Sequence, residues 1–382
     1  MKDALTYDDI QIIPAYSEVN HRSICNIVTK ISKRYTITAP IVSAPMDSVT
    51  EWQMAQKLWE LGGIGFIHRF MSVEDQCEQV RKAKEDWCYE PKDTDTYIDT
   101  KSITSMVGIH TGVVGPNILV GAAIGVTGDF HLRAKELVEA GARVLLLDVA
   151  HGHHSLVKDA LLRLKQKSVA TSLNFTEDHR RVDIIAGNIA TAQAAKDLIK
   201  WGADGLRVGI GNGSLCETRI RTGVGVPQVT ALMEIVKIAK KNGIPVIADG
   251  GIRTPGDAAK ALALGADSVM FGSLFAGTKE SPGDMVQIGN FPNESLFKQY
   301  RGSSSQSSKL QRGESDNNIE GNSIMIPYKG KAKRIHKGLI EGLRSAMSYV
   351  GANDLAEFYK NAQFVRVTSN GLIEAQPHLM KP

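Results

Sequence analysis

The sequence predicts an α/β chain folded as a (β/α)8 TIM barrel, and three observations carry that expectation. Short apolar, β-branched runs ending in Gly, Asp or Asn alternate with helix-like segments rich in Ala, Leu and Lys. Such runs number roughly eight, which is what closes a parallel barrel whose strands are buried on both faces. No G-x-G-x-x-G opens a helix, which argues against a doubly wound sheet.

In chain order the expected strands are Pro40–Ala44, Gly63–Ile67, Ile118–Ala123, Val144–Asp148, Ile184–Ala186, Gly205–Val208, Pro245–Ala248 and Ser268–Phe271. Each is followed by a segment with helical spacing of apolar residues. Active sites of such barrels lie at the C-terminal ends of the strands, where Asp47, His68, Asp148, Asn188, the loop around Cys216, Asp249 and Gly272 should therefore meet. Residues 1–382 read as one barrel domain, with two departures from the repeating unit. The segment 87–115 is polar and turn-rich and reads as a surface linker. The stretch Gly302–Asn322, within a flap region 300–330, is dense in Ser, Asn, Gln and Gly, lacks an apolar anchor through Ser303–Ser308, and reads as a mobile flap that closes over substrate.

Composition narrows the class. With 382 residues, 42% hydrophobic and 23% charged, the chain can bury a large core. Its net charge of +4 is small, and the basic cluster Lys329–Arg334 has no interleaved aromatics, so nucleic acid is not an expected partner. Four cysteines without C-x-x-C pairing argue against a disulfide framework or zinc and for a reducing cytoplasm. Neither a signal peptide nor an apolar run near the roughly 18 residues of a membrane span is evident.

The chemistry centres on Cys216, in the run Val208-Gly-Ile-Gly-Asn-Gly-Ser-Leu-Cys-Glu-Thr-Arg219. A free cysteine is commonly a buried small hydrophobe. Flanking glycines and the polar Glu217, Thr218 and Arg219 instead suit a partly exposed nucleophile. Gly250-Gly251 after strand seven and Gly272-Ser273 after strand eight offer backbone N–H groups where barrels often hold a phosphate, and Ser214 could add a hydroxyl. Asp249 is placed to accept from ribose hydroxyls.

Motifs along nearly the whole chain resemble one family. They are Leu5-Thr-Tyr-Asp-Asp9, Ser43-Ala-Pro-Met-Asp47, Gly62-Gly-Ile-Gly-Phe-Ile-His68, Asp148-Val-Ala-His-Gly-His153, Ala186-Gly-Asn188, the Cys216 loop, Gly223-Val-Gly-Val-Pro-Gln228 and Ala248-Asp-Gly-Gly-Ile-Arg253. Their order and spacing resemble the IMP dehydrogenase and GMP reductase family. The resemblance implies a barrel, a homotetramer, and attack of Cys216 on purine C2. It also implies hydride exchange with a nicotinamide, NADPH or NAD(H), through a covalent thioimidate. Ser214, Gly250, Gly251, Gly272, Ser273 and Tyr300 would then hold the 5′-phosphate, Asp249 the ribose, and Asp148 and Asn188 the nicotinamide side. The carbonyls of Gly211, Gly213 and Cys216 resemble a potassium site, completed by Glu374 in the tail of a neighbouring subunit.

Direction of reaction is read from the flap. The family's dehydrogenases activate water with an Arg-Tyr pair there, and that position falls here on Asn317-Asn318, which cannot act as a base. The Thr218 and Glu320 of this chain match a pair that relays protons for ammonia loss in the reductases. The linker 87–115 has no room for the CBS modules that most dehydrogenases insert. The expectation is therefore a GMP reductase, turning GMP and NAD(P)H into IMP and ammonia. The alternative is an IMP dehydrogenase in which Thr218 with Glu320, or Arg312, activates water. A catalytically silent nucleotide-binding barrel is the third reading.

Overall fold

Eight parallel strands form a closed barrel in the computed structural model, which describes residues 3–85, 118–166, 182–289, 294–311, 313, 317 and 319–376. They are β1 (Ile41–Ser43), β2 (Ile64–Ile67), β3 (Gly121–Ile124), β4 (Val144–Asp148), β5 (Asp183–Ile189), β6 (Gly205–Val208), β7 (Val246–Asp249) and β8 (Ser268–Phe271). Closure comes from β8 lying beside β1, with Val269, Met270 and Phe271 opposite Ile41, Val42 and Ser43. Every expected run is a strand, and only the edges move. The third begins later, at Gly121, and the fifth is longer, because a register shift between Gly187 and Ile189 carries its pairing with β6 on to Ile189.

The barrel helices are α1 (Trp52–Glu60), α2 (Val73–Lys84), α3 (Phe130–Ala140), α4 (Ser155–Lys165), α5 (Ala192–Lys200), α6 (Gln228–Lys241), α7 (Pro255–Ala263) and α8 (Ala332–Tyr349). Their apolar stripes cover the strands. In α6, for example, Val229, Leu232, Val236 and Ala239 recur at three- and four-residue spacing and are all buried. Side chains cap four of their starts; Ser72 Oγ, for example, accepts from Asp75 N at 3.0 Å ahead of α2, and Thr254 with Asp257 forms a capping box ahead of α7.

Inside the barrel, Val42, Ile64, Phe66, Leu146, Ile185, Ile247 and Met270 form their own packed core, as side-chain layers do in this architecture. Ile31 and Ile37, from the hairpin Thr29–Lys30 and Thr36–Ile37, join that core. Buried Asp183, at the start of β5, accepts from Ser32 Oγ (2.7 Å) and Arg34 N (2.8 Å) and pairs with the Arg34 guanidinium. The hairpin thus seals the N-terminal end of the barrel. Chemistry is left to the opposite end.

Two features depart from the sequence reading. An antiparallel sheet of β9 (Val286–Ile288), β10 (Ser295–Arg301) and β11 (Ser323–Pro327) was not foreseen. The serine-rich stretch is not an unanchored flap: Gln306–Gln311 is helical, and Ser305 and Ser308 are buried. Ser308 Oγ donates to Asp47 Oδ2 at 3.0 Å, and Arg301 Nε donates to the same oxygen at 2.9 Å. The Ser308 hydroxyl bond to this half-buried carboxylate anchors the segment where apolar contacts do not. The expected linker 87–115 lies outside the described residues, as do Arg312, Asn318 and Cys88. No helix among the described residues is long and apolar enough to cross a membrane.

Candidate active site

Strand ends and loops at the C-terminal rim of the barrel surround a cavity of about 570 Å3. Cys216, Thr218, Glu320, Ser214, Asp249, Gly250, Gly251, Gly272, Ser273, Tyr300, Asp148, Asn188, Gly211 and Gly213 all line it. Asp47 and His68, expected at the same rim, do not line it; Asp47 instead bonds Arg301 and Ser308, and His68 is buried 3.4 Å from Glu51. The other expected site residues all meet there except Glu374. That side chain is exposed on the C-terminal helix Ser369–Glu374 and does not line the cavity.

The Cys216 loop leaves β6 through Gly209, whose φ is +146° and where a Cβ would lie 1.9 Å from the Asp249 carbonyl oxygen. Only glycine allows strands β6 and β7 to approach so closely there. Cys216 N then donates to Gly213 O at 3.1 Å, curling the loop so that the thiol lines the cavity. The segment Glu320–Asn322 lies against this loop as a short strap. Cys216 and Gly321 form an antiparallel bridge, Glu217 N donates to Glu320 O at 2.8 Å, and Asn322 N donates to Leu215 O at 3.1 Å. Side chains reinforce it. Glu217 accepts from Arg221 Nε at 2.9 Å and from Asn322 Nδ2 at 2.6 Å, bonds that hold its carboxyl below the ordinary range.

That strap sets the central contact of the site. Thr218 Oγ1 lies 3.1 Å from Cys216 Sγ and donates to Glu320 Oε2 at 2.7 Å. A thiol, a hydroxyl and a carboxylate in line can pass a proton between a carboxylate and whatever is bonded next to the sulfur.

At one end of the cavity, Gly250 and Gly251 follow each other at φ +92° and +78°, and neither N–H has an acceptor among the described residues. Ser214 Oγ and Tyr300 Oη are 3.0 Å apart beside them, and burial pushes the Tyr300 hydroxyl pKa up. Free N–H groups next to hydroxyls make an anion cradle.

At the other end Arg207 is buried between two carboxylates. Its Nη1 donates to Asp148 Oδ1 at 2.6 Å and its Nε to Asp249 Oδ2 at 3.0 Å. Burial alone would lower the Arg207 pKa, but the attraction of Asp249 and Asp148 raises it. Asn188, at the irregularity of β5, donates to Asp249 Oδ2 and to Gly209 O, both at 2.7 Å. Arg69 stacks over Phe70 at 5.0 Å, and both line the cavity near Asp148.

Arg207, Arg69, Lys309 and the Glu217–Asn322 clasp escaped the sequence reading. For Arg207 a signal existed: a lone arginine within the apolar run Gly205–Val208, which on a buried strand demands acidic partners. The clasp had none, since it depends on a tertiary contact between distant segments.

Comparison with known proteins places these features in context. A family model described as the IMP dehydrogenase / GMP reductase domain matches residues 4–378. The inosine-5′-monophosphate dehydrogenase of Cryptosporidium parvum is 40% identical, covering 98% of this chain and 94% of its own. The GMP reductase of Leishmania donovani is 34% identical, over 99% of this chain and 97% of its own. Among solved structures, a cysteine-to-alanine variant of Trypanosoma brucei GMP reductase, in complex with guanosine 5′-monophosphate, superposes with a TM-score of 0.85. It is 32% identical and covers 99% of this chain and 98% of its own.

Proposed function

We propose that this chain, which belongs to the IMP dehydrogenase / GMP reductase family and is an NAD(P)-dependent oxidoreductase of purine nucleotides, works in the reductive direction, converting GMP to IMP and ammonia. The observation that carries the direction is Asn317-Asn318, which stands on the flap where the dehydrogenases have their water-activating Arg-Tyr pair, while the line Cys216–Thr218–Glu320 supplies the proton relay that reduction needs. Cys216 Sγ adds to C2 of the purine. Glu320, through the Thr218 hydroxyl, delivers a proton to the departing 2-amino nitrogen, which leaves as ammonia. The purine stays bonded to Cys216 as a thioimidate. A bound reduced nicotinamide supplies the hydride that C2 then accepts, and the C–S bond breaks to release IMP and free Cys216.

The other residues bind and orient. Gly250, Gly251, Gly272, Ser273, Ser214 and Tyr300 take the 5′-phosphate. Asp249 accepts from the ribose hydroxyls, held in place by Asn188 and Arg207. For the cofactor, the planar Phe70, the Arg69 guanidinium and Asp148 fit a flat ring with its ribose, NADPH or NADH. Arg69 Nε lies 3.7 Å from Asp148 Oδ2, an ion pair that would hold both groups toward the cofactor. Carbonyl donors at Gly211, Gly213 and Cys216 suit a potassium ion. We include Glu374 of a neighbouring subunit of a homotetramer in that site, because Glu374 does not line the cavity of its own chain. A cytoplasmic setting accords with the free thiols of Cys25, Cys77 and Cys216.

One observation favours a second reading. Relatives named inosine-5′-monophosphate dehydrogenase reach 36% and 40% identity, above the 33% and 34% of those named GMP reductase. Under that reading the Thr218–Glu320 pair takes a proton from water that attacks C2. Nicotinamide absorbance separates the two: GMP with NADPH or NADH loses it, whereas IMP with NAD gains it. A catalytically silent barrel would do neither, and a C2 electrophile would leave Cys216 unlabelled.

A further inference from the structure

On the outer side of the glycine turns, between α7 and α8, lies a second cavity of about 680 Å3. Its floor is apolar, from Pro255, Leu274 and Leu339. Three cations face it: Arg253, Lys329 and Arg334. Arg253 is already paired, with Asp8 and with Asp257 (3.7 Å). Lys329 Nζ donates to the Ser273 carbonyl, and burial lowers its pKa, so a negative neighbour would relieve it. Arg334 has no carboxylate partner among the described residues. The other carboxylate nearby, Glu280, accepts from Ala332 N at the start of α8.

The lining of the cavity thus carries three cations and no carboxylate, and α7 and α8, helices of nine and eighteen residues, start beside it. Its position is equally informative. Arg253 lines both this cavity and the first, and Lys329 holds the carbonyl of Ser273, a residue of the proposed 5′-phosphate cradle.

We propose that this cavity is a second anion site that binds a phosphate group, with Arg334 as its principal uncommitted donor. A guanidinium and an ammonium converging on one space suit the several oxygens of phosphate better than a single carboxylate. Two sources share that chemistry: the distal phosphate of a purine nucleoside diphosphate whose first phosphate sits in the cradle, and a free phosphate bound separately. The first source rests on the purine-nucleotide reading of the main cavity; the second does not.

Calorimetric titration of the wild type, Arg334→Ala and Arg334→Glu with GMP, with GDP, and with orthophosphate after saturation with GMP tests this. GMP binds all three proteins alike. Either GDP binds the wild type more tightly than GMP does, or orthophosphate binds the GMP-saturated wild type. That added affinity falls about tenfold in Arg334→Ala, the usual size of a lost charged hydrogen bond, and further in Arg334→Glu. Two results overturn the proposal: GDP no tighter than GMP with no orthophosphate binding, or added affinity that both variants retain. Failure of GMP to bind the wild type would instead sink the reading of the main cavity, and orthophosphate alone would still test this one.

Discussion

Glu320 accepts the Thr218 hydroxyl at 2.7 Å across 102 residues of sequence, and the same hydroxyl sits 3.1 Å from the Cys216 sulfur. Because the strap fixes Glu320 through backbone bonds on either side, removing its carboxylate should leave the loop in place. Glu320→Gln is expected to lower kcat for GMP by roughly 10²- to 10⁴-fold with little change in KM, the range for a lost general acid. Thr218→Val should fall similarly and Thr218→Ser should retain most activity. Steady-state kinetics on the three variants checks this.

Cys216 is assigned the covalent step, so Cys216→Ala should abolish turnover while GMP still binds, since the phosphate and ribose contacts lie on other residues. Calorimetry with GMP and mass spectrometry after a C2 electrophile test the two halves. A variant that loses GMP binding altogether would place Cys216 in the structural support of the loop.

Arg207 sits between Asp148 and Asp249 with only 9% of its side chain exposed. Arg207→Met would leave two carboxylates facing each other without a counter-charge. Breaking a buried pair in this way costs about 3–5 kcal/mol. Urea unfolding should show a loss of that order, and activity should fall as Asp249 is released.

His336 is 8% exposed, its Nε2 has no hydrogen-bond partner among the described residues, and burial lowers its pKa to about 4. The unfolded chain binds this proton near pH 6.5 and the folded chain only near pH 4, so the folded state binds fewer protons in between. Stability should be fully present above about pH 6.5 and be lost progressively as pH falls towards 4, by about 3 kcal/mol in all. His336→Gln should flatten that slope in unfolding curves measured across the range.

The barrel and the place of Cys216 in the cavity were both legible in the sequence because each depends on local pattern. The strands show as apolar runs, since a parallel strand buried on both faces tolerates few polar residues. Cys216 stands out through the glycines around it. Features made by tertiary contact were not legible. The segment Ser303–Ser308 looks unanchored because its anchor, Asp47, is some 260 positions away, as the Ser308–Asp47 bond shows. Glu217 looks like a solvated charge until Asn322 is brought beside it. Glu374 is expected at the cation loop of a neighbouring subunit, and in its own chain it lies on an exposed helix.

Direction of reaction is the central claim, and one measurement addresses it: nicotinamide absorbance on the purified protein with potassium, run with GMP plus NADPH or NADH and, separately, with IMP plus NAD, with ammonia assayed alongside. A fall in absorbance with GMP, matched mole for mole by ammonia and absent in Cys216→Ala, is the result expected. A rise over many turnovers with IMP, and no fall with GMP, would contradict the reductase assignment and show that Thr218 and Glu320 serve hydrolysis.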